Sequence, residues 1–118
     1  MASATGRFQR SERLLRTSEY EHVAEQGRRV VSRAFVVVTA VRQTTGPSRL
    51  GITASRRVGN AVTRNRVKRR IREWFRRARD EWGSRDVVVI ARQPATEMAF
   101  EELSRQLSGL LKRAVEAS

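Results

Sequence analysis

Residues 51–73 read GITASRRVGNAVTRNRVKRRIRE, and this stretch combines the end of a strand, a turn and the start of a helix. From Arg49 to Ser55 apolar residues alternate with small and polar ones, which is the period of a half-buried strand. Gly59-Asn60 then opens a helix that the amphipathic spacing predicts from about Ala61 to Trp82. A strand with one uncrowded face is therefore followed directly by a long amphipathic helix.

The positive charge of the chain is concentrated on that helix and the turn before it. Between Arg56 and Arg79, 11 of 24 positions are Lys or Arg, and Glu73 is the only acid. A solvated helix usually mixes charge signs because opposite charges at i,i+4 stabilise it, whereas here like charges recur at that spacing. The whole chain carries 25 basic and 12 acidic residues, a net charge of +13. We interpret the basic segment as a surface that binds a polyanion, with nucleic acid favoured by the abundance of arginine.

The segments on either side of this stretch complete an α+β pattern. Residues 1–13 resemble a basic, flexible tail, so the domain is placed at 14–118. A short helix is predicted over 18–26, and the valine-rich segment after it forms either one long strand or two strands around Ser32-Arg33.

The C-terminal part adds a strand and a helix. Residues 86–91 form a continuous apolar run typical of a central strand, and leucines at helical spacing predict a last helix over about 97–115. The order α-β-β-β-α-β-α predicts an α+β sandwich with helices on a mostly antiparallel sheet.

Composition excludes several kinds of site. The chain has no cysteine and a single histidine, His22, which excludes disulfides, thiolate metal sites and multi-histidine centres. No apolar run is long enough for a membrane span or a signal peptide, so we expect a cytoplasmic protein without a membrane partner. The sequence offers no catalytic residues and no protein metal site. The basic helix lies between two strands, which argues against a helix-turn-helix DNA reader.

The residues identify a family at this point. The block Gly51–Glu73, centred on Arg64-Asn65-Arg66, closely resembles the signature of the bacterial ribonuclease P protein subunit, and the similarity extends over roughly residues 13–115. The resemblance implies a fold like domain 2 of ribosomal protein S5, with a left-handed β-α-β crossover. It also implies that the protein binds the catalytic RNA subunit and the 5′ leader of precursor tRNA, and promotes endonucleolytic removal of that leader. The resemblance implies that Mg²⁺ is held mainly by the RNA subunit and the substrate. It implies no obligate protein partner.

The resemblance also assigns residues to two contact regions. The RNA-binding set that it implies comprises Arg56, Arg57, Asn60, Arg64, Asn65, Arg66, Lys68, Arg69 and Arg72. The implied leader cleft contains Tyr20, Val38 and Thr53. Two positions depart from the family, because Ala24 and Val38 stand where aromatic residues are expected. We therefore expect the leader to be held here more by charge than by base stacking.

Two other functions remain as alternatives. One is a structural or translational RNA-binding protein of S5-like fold that takes no part in cleavage. The other is a stand-alone protein nuclease, which is disfavoured because the sequence shows neither a carboxylate cluster nor a set of histidines.

Overall fold

The computed structural model describes residues 17–78 and 81–116, which form three α-helices and one four-stranded sheet. In chain order the elements are α1 (Thr17–Gln26), β1 (Arg28–Val31), β2 (Phe35–Val41), β3 (Arg49–Ala54), α2 (Ala61–Ala78), β4 (Arg85–Ala91), a 3-10 helix (Gln93–Glu97) and α3 (Phe100–Glu116). This order confirms the predicted α-β-β-β-α-β-α arrangement. The predicted tail, residues 1–13, lies outside the described residues.

The sheet has the strand order β1-β2-β4-β3 and is mixed. Strand β2 pairs antiparallel with β1 and with β4, whereas β3 pairs parallel with β4. The interior position of β4 confirms the prediction made from its continuous apolar run. Helix α2 connects the parallel neighbours β3 and β4, so the predicted β-α-β unit is present. The hand of its crossover and the likeness to ribosomal protein S5 stay predictions.

The valine-rich segment divides into two strands because a side chain closes a turn between them. The Ser32 backbone nitrogen donates to the Phe35 carbonyl oxygen at 2.8 Å. In return the Phe35 backbone nitrogen donates to the Ser32 Oγ at 3.1 Å. These two bonds reverse the chain within a few residues and align β1 with β2, which settles the question that the sequence left open.

Two helix boundaries differ from the sequence predictions. The described part of α2 ends at Ala78, and Trp82 lies outside the helix, packed against the core. Gly83 follows with φ of 78°, a left-handed conformation that glycine adopts without steric cost, and turns the chain into β4. Helix α3 begins at Phe100, later than predicted, because Pro94 starts a separate 3-10 turn before it.

The two faces of the sheet are covered unequally. Helices α2 and α3 bury one face in the main core, whose largest fully buried side chains include Phe35, Ile71, Phe75, Leu103, Leu107 and Leu111. On the other face α1 contributes to a small cluster of Val23, Val36, Val38 and Val88, with Tyr20 and Ile90 packed at its margin. None of the described helices is long and apolar enough to cross a membrane. Among the described residues, the short helix α1 covers only part of the second face of the sheet.

Candidate nucleic-acid interface

Helix α2 separates apolar and cationic residues onto different faces. Its buried residues are Val67, Ile71, Trp74, Phe75 and Ala78, which pack into the main core. The remaining surface of the helix is dominated by arginine. The fold therefore fixes the orientation of α2 and directs its charged face outward.

The cations near the C-terminal end of α2 are used within the fold. Arg70 donates through Nη1 to the Met98 carbonyl oxygen at 2.7 Å. Arg76 and Arg77 both pair with Glu73, and these hydrogen bonds hold the pKa of the Glu73 carboxyl below its usual range. The Arg77 guanidinium also lies 5.1 Å from the centre of the Phe100 ring. These side chains tie α2 to its neighbours or to its own turn.

The cations of the N-terminal half of α2 are arranged differently. Within residues 17–78 and 81–116, no side-chain hydrogen bond or ion pair engages Arg64, Arg66, Lys68 or Arg69. Arg56 and Arg57 precede them on an exposed turn. A run of positive charge that the fold does not neutralise is available for phosphate groups. Arg72, the last residue of the predicted RNA-binding set, lies half-buried further along the helix.

The two asparagines of the predicted set occupy different positions. Asn60 caps α2, because its Oδ1 accepts a hydrogen bond from the Thr63 backbone nitrogen at 2.9 Å. Asn65 is exposed between Arg64 and Arg66 on the helix surface. Asn60 therefore has a structural role as a helix cap. Asn65 has a low helix propensity, and no contact within the described fold explains why it stands in the helix.

A cleft of about 270 Å³ lies between α1 and the sheet and is lined by all four strands. Its lining residues are Tyr20, Val23, Ala24 and Gly27 from the α1 side, with Arg29, Val38, Thr53, Val88 and Ile90 from the sheet. The structure thus brings the three residues of the predicted leader cleft into one groove. From β3, an edge strand, the chain continues through a turn, exposed at 55–57, into α2. The strand at one edge of the cleft therefore leads directly to the unpaired cations.

Tyr20 lies directly on β3 because position 51 has no side chain. A Cβ atom built on Gly51 would lie 2.5 Å from the Tyr20 Oη and 2.7 Å from its Cζ. Burial of the ring, with a smaller contribution from the charge of Glu19, raises the pKa of the Tyr20 phenol above its ordinary value. The missing side chain at Gly51 therefore allows Tyr20, the only tyrosine of the chain, to lie close to the sheet.

The variant Gly51→Ala is expected to push Tyr20 toward solvent, because the added methyl group occupies the space of the ring. The pKa of the Tyr20 phenol then falls toward that of an exposed tyrosine. Since Tyr20 is the only tyrosine, the near-ultraviolet absorbance of the phenolate reports this site alone.

The matched control for this variant is Gly109→Ala, because a Cβ atom at Gly109 meets nothing within 4 Å. The control leaves the tyrosine titration of the native protein unchanged. A Gly51→Ala protein whose phenol titrates like that of the native protein would contradict the proposed contact.

An ion cluster around the buried Asp86 fixes α1 against the sheet and was not foreseen from the sequence. Arg49 donates through Nε and Nη2 to the two carboxylate oxygens of Asp86, both at 2.7 Å. Its Nη1 donates to the Glu19 Oε2 at 2.6 Å. Asp86 is only 1% exposed, whereas the side chains of Arg49 and Glu19 are 14% and 24% exposed, so the cluster joins β3, β4 and α1 with its carboxylate at Asp86 buried. The charged residue Asp86 at the start of the apolar run 86–91 was the one available signal in the sequence, and it did not indicate which residue would be its partner.

Comparison with known proteins agrees with this geometry. The family model described as Ribonuclease P matches residues 8–115. The chain is 41% identical over 107 residues to a ribonuclease P protein component of Staphylococcus epidermidis, covering 91% of this chain and 93% of the relative.

Solved structures show the same fold. An RNase P protein of Staphylococcus aureus matches with a TM-score of 0.79 and 37% identity, over 87% of this chain and 94% of that chain. The RNase P protein of Thermotoga maritima matches with a TM-score of 0.75 and 33% identity, over 86% and 96%. The chain therefore belongs to the ribonuclease P protein family, the protein subunits of an RNA-containing endoribonuclease of tRNA processing.

Proposed function

We propose that this subunit holds the 5′ leader of precursor tRNA in the cleft between α1 and the sheet, while α2 binds the RNA subunit. The observation that supports this most is that strand β3 both lines the cleft and leads directly into α2. It contributes Thr53 to the cleft, and the turn after it leads into the helix half that carries Arg64, Arg66, Lys68 and Arg69. An apolar groove with a cationic border is the usual arrangement for binding single-stranded nucleic acid.

The shape of the cleft favours a single strand over a duplex. Its floor is apolar, from Val38, Val88 and Ile90, and Tyr20 forms one wall. Unstacked bases can bury their faces against such surfaces, whereas the bases of a duplex are already stacked and cannot enter. The leader is the single-stranded part of the substrate in this proposal.

The chemistry of cleavage belongs to the RNA subunit in this proposal. Magnesium held mainly by the RNA subunit and the substrate would supply the charge stabilisation that phosphodiester hydrolysis requires. In the described parts of the chain, no group of three His, Cys, Asp or Glu residues could hold a metal ion. No step is therefore assigned to a protein-bound metal, and the protein contributes substrate affinity. The cytoplasmic location expected from the sequence stays part of the proposal.

The proposal is tested with the reconstituted holoenzyme and two substrates, precursor tRNA and mature tRNA. We expect the wild-type protein to raise affinity for the precursor only, and cleavage at low Mg²⁺ to require the protein and the RNA together. Tyr20→Ala is expected to weaken precursor binding about fivefold to tenfold, near the lower end of the 1–3 kcal/mol typical for one stacked base. Binding of mature tRNA is expected to stay unchanged.

The matched control is His22→Ala, because His22 lies on the same helix but lines a different groove. It is expected to leave the affinity for both substrates unchanged. Equal affinity of the wild-type holoenzyme for precursor and mature tRNA would contradict leader binding. Cleavage by the protein alone would instead show a protein nuclease.

A further inference from the structure

The cleft contains one charged residue, and it is not one that the sequence assigned to the leader. Among its lining residues, Arg29 is the only one with a charged side chain. The other lining residues are apolar or neutral, so within residues 17–78 and 81–116 no carboxylate lines the cleft beside Arg29. A cation in this position can form an ion pair with an anionic group of a ligand that binds in the cleft.

Strand register explains why Arg29 points into the cleft. Strand β1 pairs antiparallel with β2, and Arg29 lies opposite Val38, whose side chain forms part of the cleft floor. Its neighbour Arg28 lies opposite Thr39 and lines a separate groove with His22 and Glu25. Successive side chains of a strand alternate between its faces, so two adjacent arginines serve two different surfaces.

The fold does not use the charge of Arg29. Within the described residues its guanidinium makes no hydrogen bond and no ion pair, and the side chain is exposed. Arg49, on the other edge strand, has all three of its nitrogens engaged by Asp86 and Glu19. Among the described residues, Arg29 therefore has no partner within the fold that would neutralise its charge.

Arg29 lies in the same cleft as the two residues that depart from the family pattern. Ala24 and Val38, which stand where aromatic residues are expected, line the cleft together with Arg29. The aromatic surface available to bases is therefore reduced to Tyr20, at the opposite side of the groove against β3. The Arg29 guanidinium at the β1 side can bind a phosphate group of the strand, whereas an aromatic ring would stack on a base.

We propose that Arg29 binds a backbone phosphate of the single-stranded leader at the β1 end of the cleft, in place of the missing aromatic contacts. This inference rests on the proposed function of the cleft. The leader enters at the β3 edge, next to the cations of α2, and reaches Arg29 only after crossing the sheet. Three strand intervals amount to about 14 Å. A stacked strand rises about 3.4 Å per nucleotide, so about four nucleotides span that distance and fewer suffice when the strand is extended.

The test measures binding of the holoenzyme to precursors with a single-nucleotide leader and with a leader of about eight nucleotides, over a series of salt concentrations. For the long leader, Arg29→Gln is expected to weaken binding about fivefold near 0.1 M salt, and to reduce the salt slope by roughly 0.7. For the single-nucleotide leader the same variant binds like the wild type. Arg29→Lys retains most of the slope because it keeps the charge.

The control is Arg28→Gln, which removes the same charge from the adjacent residue but faces the other groove. It is expected to change binding of both substrates equally and only slightly, and thermal unfolding verifies that all variants fold. The proposal is overturned if Arg28→Gln and Arg29→Gln act alike, if the effect is the same for both leaders, or if the slope does not change. A wild-type holoenzyme that gains nothing from a longer leader would contradict the proposed function itself.

Discussion

Replacing Asp86 by alanine is expected to lower the free energy of unfolding by about 3 kcal/mol, because it leaves a buried arginine without its main partner. Asp86 is 1% exposed and accepts two hydrogen bonds from Arg49, whose own side chain is 14% exposed. Glu19 remains as a second partner for Arg49, so we place the loss at the lower end of the range for broken buried pairs. Small domains are stable by about 5–15 kcal/mol, and the loss is therefore a large fraction of the total.

Urea denaturation measures this loss as a shift of the unfolding midpoint at constant slope. The control is Glu73→Gln, which removes a carboxylate that pairs with Arg76 and Arg77 at the surface of α2. It is expected to cost less than about 1 kcal/mol.

A second variant shows whether the unpaired charge is the cause. Adding Arg49→Met to Asp86→Ala removes the remaining cation, and we expect it to recover part of the lost stability. Strictly additive losses in the double variant would mean that the pair contributes by packing alone. A loss below about 1 kcal/mol for Asp86→Ala would contradict the prediction outright.

The second large effect concerns RNA affinity. Changing Arg64, Lys68 and Arg69 together to alanine is expected to weaken binding to the RNA subunit about a hundredfold to a thousandfold near 0.1 M salt. Each phosphate contact contributes roughly 0.7–0.9 to the salt slope, so the triple variant loses a slope of about 2–3. All three side chains lack intramolecular partners among the described residues, and the fold should therefore tolerate their removal.

The matched control removes three cations from α3 by changing Arg105, Lys112 and Arg113 to alanine. The α3 side chains are exposed, Arg105 pairs only with Glu102 of its own helix, and the net charge of the protein falls by the same amount. If affinity for the RNA subunit depends on where the cations lie, the α3 triple variant keeps nearly the full salt slope of the wild-type protein. Equal losses in both triple variants would show a diffuse charge effect, and an unchanged slope for the α2 variant would place the RNA interface elsewhere.

Local pattern in the sequence was sufficient for most of the fold. The alternation over 49–54, the apolar stripe of α2 and the apolar run of β4 each predict an element from residues that are close in the chain. The charge of the block around Arg64-Asn65-Arg66 predicts a polyanionic partner, and the resemblance of the block to a known signature predicts the family. The boundaries at Trp82 and Glu97 were wrong, since helix ends depend on turns and on core contacts as well as on spacing.

The tertiary structure alone decided which charges are available and where the cleft lies. Arg76 and Arg77 pair with Glu73 at i,i+3 and i,i+4 within one helix. Only folding gives Arg70 its partner, the Met98 carbonyl oxygen, and leaves Arg64, Arg66, Lys68 and Arg69 unpaired among the described residues. Only the register of β1 on β2 turns Arg29 into the cleft, and only the neighbourhood of β3 and β4 brings Arg49 to Asp86. The contacts of Arg29, Arg49 and Arg70 join separate elements, and their geometry follows from strand order, register and helix packing, which local periodicity does not contain. By itself, the sequence determined the elements and the polyanionic partner, whereas the contacts that distinguish one arginine from the next required the fold.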